Sequence, residues 1–77
     1  MSTPIPLSML SDGMEGRIVV ITGGRGLMRR LADLGFNPGT KVKVLRASKG
    51  PMILLIRDSR ICIGRGVAMK ILVRVEE

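Results

Sequence analysis

The chain consists largely of short β-branched and aliphatic runs that glycine- and proline-containing turns separate. Four such runs are Glu15–Ile21, Met52–Arg57, Arg60–Gly64 and Ile71–Val75, and Lys41–Val44 alternates polar and apolar residues as a half-solvated strand does. Strands this short, at intervals of roughly ten residues, favour a small barrel. Closing the sheet would also hide the hydrogen-bonding groups of its edges. We therefore predict a mainly β fold, a small closed barrel of about five strands.

In one segment the apolar residues recur at the spacing of a helix instead of that of a strand. Leu27, Leu31 and Leu34 are spaced i, i+4 and i+7, which predicts a short helix over residues 26–34 whose leucines pack on the core. Gly35 follows as a left-handed cap, and Phe36 can pack back on the last helical turn. Residues 65–70 are compatible with one further helical turn, and Asp58-Ser59 with the tight connection of a hairpin.

Glycine and proline mark the turns on both sides of this helix. The segment Gly23–Gly26 lacks the Gly-Lys-Ser/Thr ending of a phosphate loop and does not lie in a βαβ unit. We interpret it as a structural turn, because glycine tolerates positive φ. After the helix, proline sets φ and glycine supplies positive φ for a β-turn. The predicted structural turn residues are Gly23, Gly24, Gly35, Pro38 and Gly39.

A chain of 77 residues has room for one domain. Residues 1–6 are expected to be a loose lead-in and residues 7–77 the domain. The apolar content is 45%, but Phe36 is the only aromatic residue, so the core must be aliphatic. Cys62 is the only cysteine and there is no histidine, which excludes an internal disulfide and a Cys/His zinc site. We expect Cys62 to be a buried structural residue.

The side-chain inventory argues against catalysis. General acid–base work usually falls to histidine or to carboxylates in a cleft, and a nucleophilic cysteine needs an activating base. We therefore expect no catalytic residue, no specific metal site and no cofactor. Asp12 with Glu15, or Glu76 with Glu77, would give at most a weak cation site. The carboxylates are few and scattered along the chain: Asp12, Glu15, Asp33, Asp58, Glu76 and Glu77.

The net charge of +7 is concentrated in the second half, where residues 36–77 carry nine basic and three acidic side chains. A surface of this kind attracts polyanions or acidic proteins. We expect two groups of basic residues in this second half of the chain. Nucleic-acid binding by a basic small barrel stays open as an alternative, because phosphate contacts need only such charges. Against it stands the lack of aromatic residues on which bases could stack. The two groups are Lys41, Lys43 and Arg46 on one strand, and Arg57, Arg60 and Arg65 near the hairpin.

The sequence shows no segment that would enter a membrane. The longest apolar run, Met52–Ile56, has five residues, whereas a membrane-spanning helix needs about 20. No basic segment followed by an apolar stretch opens the chain. We expect a location in the reducing cytoplasm and no direct membrane insertion.

The segment Gly23–Gly39 resembles the signature of the FeoA family of ferrous-iron-transport accessory proteins. That signature has a glycine turn, a short Leu/Arg helix, Leu-Gly-Phe/Leu, a variable residue and Pro-Gly. Leu10–Gly13 resembles the family's opening Leu-x-x-Gly, and Ser59–Ile63 with Ala68 resembles its closing strands. The resemblance spans about residues 7–75 and is most specific in the helix and the turn that follows it.

This resemblance implies an SH3-like barrel with one short helix inserted after the first long strand. It further implies a non-enzymatic cytoplasmic accessory of the ferrous iron permease FeoB, a membrane protein with a GTPase domain. The same fold occurs as the C-terminal domain of metal-dependent DtxR-type repressors, so a free-standing copy could serve another protein. The connection with iron rests on the resemblance alone.

The exposed side of the predicted helix is the candidate contact surface for a partner. Its residues are basic or apolar and adjoin the glycine turn. The aliphatic composition could also leave an apolar patch exposed, so a homo-oligomer stays open. The candidate partner-binding residues are Arg25, Gly26, Met28, Arg29 and Arg30.

Overall fold

The computed structural model describes residues 3–48 and 50–76 and is mainly β. Glu77 and the first two residues of the expected lead-in lie outside the described residues, as does residue 49. In chain order the elements are β1 (Ile5–Pro6), a 3-10 turn (Leu7–Met9), β2 (Glu15–Ile21), α1 (Arg25–Asp33), β3 (Lys41–Arg46), β4 (Met52–Ile56), β5 (Ser59–Ile63), α2 (Arg65–Ala68) and β6 (Ile71–Glu76).

The strands form one antiparallel sheet in the order β1-β6-β2-β3-β4-β5. The predicted mainly β architecture, with a helix after the first long strand, is confirmed. The expected closure of the sheet is wrong, because no pairing within residues 3–48 and 50–76 joins β1 to β5. β1 has only two residues, and Pro6 lacks the N–H that a continuing ladder needs.

The sheet begins inside the segment that we expected to be a lead-in. Ile5 pairs with Val73 and Pro6 with Leu72, so β1 covers one side of β6. Two residues next to prolines carry no strand signal of their own, because period-two alternation needs a longer run. Pairing with β6 is a tertiary contact that the local sequence does not show.

Alternation along the strands explains which side chains reach the core. Val42 and Val44 of β3 are fully buried between more accessible lysines, as the sequence predicts. In β4 the residues Met52, Leu54 and Ile56 are at most 1% exposed. Ile53 and Leu55 of β4 are only half-buried, since they point to the other face. β4 is therefore a strand with two distinct faces rather than one buried throughout.

The C-terminal end of α1 has the geometry that its sequence predicts. Gly35 has a φ of +102°, its N–H donates to the carbonyl of Ala32 at 3.0 Å, and the N–H of Phe36 donates to the carbonyl of Leu31 at 2.9 Å. This pair of bonds is the Schellman motif, which requires a left-handed residue after the helix. It turns Phe36 into the core, where the side chain is fully buried.

The leucines of α1 do not all pack as predicted. Leu31 is 3% exposed and Leu27 packs against the core from a half-buried position. Leu34 is 48% exposed, so its predicted core position is wrong. The helix ends at Asp33, and Leu34 is already the capping residue, which places it outside the helical stripe.

The β4–β5 hairpin also departs from expectation. Its two-residue turn is Arg57-Asp58, because Ile56 pairs with Ser59, and Arg57 has a φ of +56°.

Cys62 is exposed, so the expectation that this cysteine is buried is wrong. Alternation gives the reason, since Ile61 and Ile63 of β5 both point toward the core.

Replacing Phe36 by alanine should lower the free energy of unfolding by about 3–5 kcal/mol, because the removed side chain is fully buried in the core. Phe36→Leu keeps most of the volume and should lose clearly less. Urea denaturation followed by far-UV circular dichroism measures both. Equal unfolding midpoints for the wild type and Phe36→Ala would contradict the assigned role of this side chain.

Candidate functional site

The loop before α1 is fixed by its backbone. Both the N–H and the hydroxyl of Thr22 donate to the carbonyl of Lys70, at 2.7 and 3.1 Å. Gly23 has a φ of +118°, and a Cβ there would lie 3.0 Å from the side chain of Leu27. Gly24 is the extended N-cap, and a Cβ on Gly24 or Gly26 would meet nothing within 4 Å. Backbone conformation and packing therefore favour glycine at position 23 but do not require it at positions 24 and 26.

The turn after α1 is a β-turn closed by a hydrogen bond. The N–H of Thr40 donates to the carbonyl of Asn37 at 3.0 Å, with Pro38 and Gly39 between them. Gly39 has a φ of +92°, as a type II turn needs at its third position. Its N–H donates to the carbonyl of Ile18 at 2.7 Å, which ties the turn to β2.

All the predicted partner-binding residues are exposed on α1, but they divide between its two sides. Met28 and Arg29 border a groove against β2. Arg30 borders a second concavity against β5, which also includes Leu34 and Cys62. Arg25 and Gly26 lie on the first turn of the helix with their surfaces open to solvent.

The groove between α1 and β2 is mainly apolar and has a volume of about 390 Å³. We call it the α1–β2 groove. Val20 and Met28 are each 42% exposed, although both are large apolar residues. Sequence reasoning missed Val20, whose outward direction follows a register shift between Ile18 and Val20 in the pairing with β6. The lining residues are Val20, Ile21, Met28, Arg29, Ala32, Phe36, Asn37 and Pro38.

The cations of α1 take no part in the ion pairs of the described chain. Those ion pairs join Arg17 to Glu76 at 2.9 Å, and Lys41 to Glu15 and Glu76 at 3.8 and 3.7 Å. In these pairs, two cations and two carboxylates of β2, β3 and β6 neutralise one another. The guanidinium groups of α1 remain available to a partner.

The pKa of the Glu76 carboxyl is lowered by its basic neighbours. The hydrogen bond from Arg17 holds the pKa of this carboxyl below its ordinary value of 4.5, and the charges of Arg17 and Lys41 act in the same direction. Desolvation acts in the opposite direction but is outweighed. Arg17 also donates to the carbonyl of Gly39 at 2.8 Å, so this ion pair links β6 to the turn after α1.

Arg65 is a structural residue and not part of a basic cluster with Arg57 and Arg60. Its guanidinium donates to the carbonyls of Ser8 at 3.4 Å and Ser48 at 3.0 Å, and to that of Ala47. It follows β5, at the opposite end of the hairpin from the Arg57-Asp58 turn. The expectation that these three arginines cluster is therefore wrong.

The carboxylates show no arrangement for holding a metal. Within residues 3–48 and 50–76 there is no group of three or more His, Cys, Asp or Glu side chains that could do so. Asp12 accepts a hydrogen bond from the N–H of Ala47 at 2.6 Å, and Glu15 faces Lys41.

Within residues 3–48 and 50–76, no helix is both long enough and apolar enough to cross a membrane.

Comparisons with known proteins agree on one family. The model of the FeoA domain matches residues 5–75. A candidate Fe(2+) transport protein A from Methanocaldococcus jannaschii is 44% identical over 72 residues, which cover 94% of this chain and 88% of that protein. A crystal structure of an iron uptake regulatory protein, FeoA, has a TM-score of 0.91 at 33% identity, and the match covers 96% of this chain and all of the other.

The fold also occurs inside larger proteins. A manganese-dependent transcriptional repressor has a TM-score of 0.90 at 20% identity, and the match covers 99% of this chain but 43% of the repressor. At that identity the similarity concerns the fold alone. Together with the FeoA crystal structure, it confirms the expected SH3-like fold.

Loss of the Arg65 guanidinium should destabilise the chain. Arg65→Met leaves several carbonyls without their donor, and we expect a loss of about 1–3 kcal/mol. Arg65→Lys keeps a charge but not the planar fork, so it should fall between the wild type and Arg65→Met. Urea denaturation measures all three proteins, and an unchanged midpoint for Arg65→Met would disprove the structural role.

Glu76 should make folding stability depend on pH. Because its pKa is lowered in the folded state, the ionised form stabilises the fold above pH 4.5, and this contribution is lost as the pH falls through the folded pKa. Glu76→Gln should therefore lower the urea midpoint near neutral pH, and the difference from the wild type should shrink in acid. Arg17→Met should raise the pKa of Glu76, measured by NMR titration; an unchanged pKa would contradict the assigned cause.

Proposed function

The chain belongs to the FeoA family, and on that basis we propose that it docks through α1 on the cytoplasmic portion of a FeoB-type iron permease. Membership of the family, and the name of the relative from Methanocaldococcus jannaschii, support a role in ferrous iron uptake. FeoA proteins are transport accessories. The proposal assigns this chain a contact with the transporter in the cytoplasm and no catalytic step.

The observation that carries the proposal is the chemistry of the α1–β2 groove. Met28 and Val20 present apolar surface, and Arg29 stands at the border of that surface without an ion-pair partner in the described chain. Interfaces typically combine an apolar centre with a polar rim and are enriched in Met and Arg. The groove can therefore accept an apolar side chain of the permease while Arg29 pairs with a carboxylate beside it.

The glycines at the start of α1 support the same surface. Gly26 lies inside the helix, where glycine costs about 1 kcal/mol relative to alanine, and neither packing nor positive φ requires it there. A residue without a side chain lets another backbone approach closely. Close approach of the permease to the first turn of α1 would explain why the helix begins Arg25-Gly26.

Docking can regulate transport only if it distinguishes states of the permease. A ligand shifts an equilibrium by its difference in affinity for the two states. We propose that the α1 surface binds one nucleotide state of the GTPase domain more tightly than the other. Its guanidinium groups would then pair with carboxylates that come together in that state.

Reversing charge on α1 should weaken binding to the permease. Arg29→Glu/Arg30→Glu places two carboxylates where we expect acidic partners, and the helix should persist because both residues are exposed. We expect affinity for the detergent-solubilised full-length permease to fall by about tenfold or more, equivalent to at least about 1.4 kcal/mol. Biolayer interferometry measures the affinity, and Met28→Ser tests the apolar part of the groove.

The matched control is Lys43→Glu/Arg60→Glu, which lowers the net charge by the same amount but lies on the sheet. It should retain permease binding. Equal losses in the two double variants would show that α1 is not the specific contact of the permease. Undiminished binding by a folded Arg29→Glu/Arg30→Glu protein would disprove α1 as the contact.

A further inference from the structure

The outer face of β4 has an apolar centre with basic residues beside it. Ile53 and Leu55 point away from the core and are half-buried. On the β3 side, Arg46 lies opposite Ile53 and Lys43 lies opposite Leu55. On the β5 side, Arg60 lies opposite Leu55. Directly opposite residues on paired strands have Cβ atoms about 4.5–5.5 Å apart, so these cations border the apolar pair closely.

The remaining neighbours extend the same pattern. Cys62 is exposed opposite Ile53 on β5, and Arg57 is exposed at the hairpin turn. A concavity of about 440 Å³ opens beside Leu55, and its charged lining residues are Lys41, Lys43, Arg57 and Glu15. We call the set formed by Lys43, Arg46, Ile53, Leu55 and Arg60 the β4 outer surface.

The cations of the β4 outer surface form no ion pair in the described chain, although Lys43 lies opposite Glu15 of β2. The ion pairs of the sheet involve Arg17 of β2 and Lys41, the first residue of β3. Arg57 also takes a left-handed conformation that is uncommon for residues other than glycine, asparagine and aspartate. The cations that lie opposite the apolar pair on both neighbouring strands fit an anionic ligand.

The size of the surface corresponds to one helix. The five residues of β4 span about 16 Å, and the distance from β3 to β5 is about 10 Å. A helix with its side chains is about 10–12 Å wide, and about 16 Å accommodates three of its turns. An apolar stripe at i, i+3, i+4 and i+7 would lie along Ile53 and Leu55, and carboxylates on both sides of that stripe would reach the flanking cations.

We propose that the β4 outer surface is a docking site for an acidic amphipathic helix of a partner protein. The site lies on different residues from the α1 surface and does not depend on the assignment of the permease as the partner of α1. Apolar contact along β4 provides affinity, and the cations of β3 and β5 select a helix with carboxylates on both flanks.

Two other anionic partners fit less well. Single-stranded nucleic acid is usually held by stacking on aromatic side chains, and this chain has only Phe36, which is fully buried. A lipid surface is usually bound by apolar side chains that protrude into it, whereas Ile53 and Leu55 are half-buried and have basic residues opposite them on both neighbouring strands. Both partners serve as competing probes in the test.

The test uses the full chain and a synthetic helical peptide of about four turns, with leucines along one stripe and glutamates on both flanks. A peptide of the same composition in scrambled order keeps the charge but not the stripe. Titration of ¹⁵N-labelled protein should shift the amide signals of β3, β4 and β5 and leave those of α1 unchanged. The affinity for the scrambled peptide should be lower by at least about tenfold.

Variants separate this site from α1. Lys43→Glu/Arg60→Glu should weaken peptide binding by about tenfold or more, and Leu55→Ser should weaken it without changing the net charge. Arg29→Glu/Arg30→Glu, with the same change in net charge, should bind the peptide as the wild type does. Amide spectra of each variant establish that it is folded.

Three results would overturn the proposal. One is equal binding of the two peptides, which would show attraction by charge alone. Another is a set of shifted signals that maps to α1. The third is tighter binding of an oligouridine RNA, or of vesicles containing phosphatidylserine, than of the amphipathic peptide. If Arg29→Glu/Arg30→Glu loses permease binding but keeps peptide binding, the two surfaces are separate sites.

Discussion

The left-handed turn at Gly35 determines where α1 lies on the sheet. It allows the N–H of Phe36 to reach the carbonyl of Leu31 at 2.9 Å and directs the one aromatic side chain into the core. A Cβ at Gly35 would lie 3.1 Å from the side chain of Ile56, so the helix end and β4 are in close contact. Both sides of α1, the groove with β2 and the concavity with β5, depend on this anchoring.

Charge is partitioned on this molecule rather than spread evenly. Ion pairs across β2, β3 and β6 join two cations, Arg17 and Lys41, to the carboxylates of Glu15 and Glu76. The guanidinium of Arg65 donates its hydrogen bonds to backbone carbonyls. The cations of α1 and of the β4 outer surface have no such partners in the described residues. Two groups of cations thus lie next to accessible apolar side chains, and exposed charge of this kind contributes more to partner selection than to stability.

The fold itself does not specify the function. Nearly the whole chain superimposes on a part of a manganese-dependent repressor that is 43% of that protein's length, and the same framework forms a FeoA protein whose full length this chain matches. Function on a shared fold is carried by the side chains displayed on it. For this chain those side chains are basic and aliphatic, a combination suited to protein contacts.

The sequence by itself determined the elements with strong local signals: the alternation of β3, the leucine spacing that makes α1, and Gly35 as its cap. Each follows from backbone geometry over a few residues. Only the tertiary structure decided that Arg65 binds carbonyls and that the sheet stays open with β1 at one edge. These properties arise from contacts between residues far apart in the chain, which local periodicity does not encode.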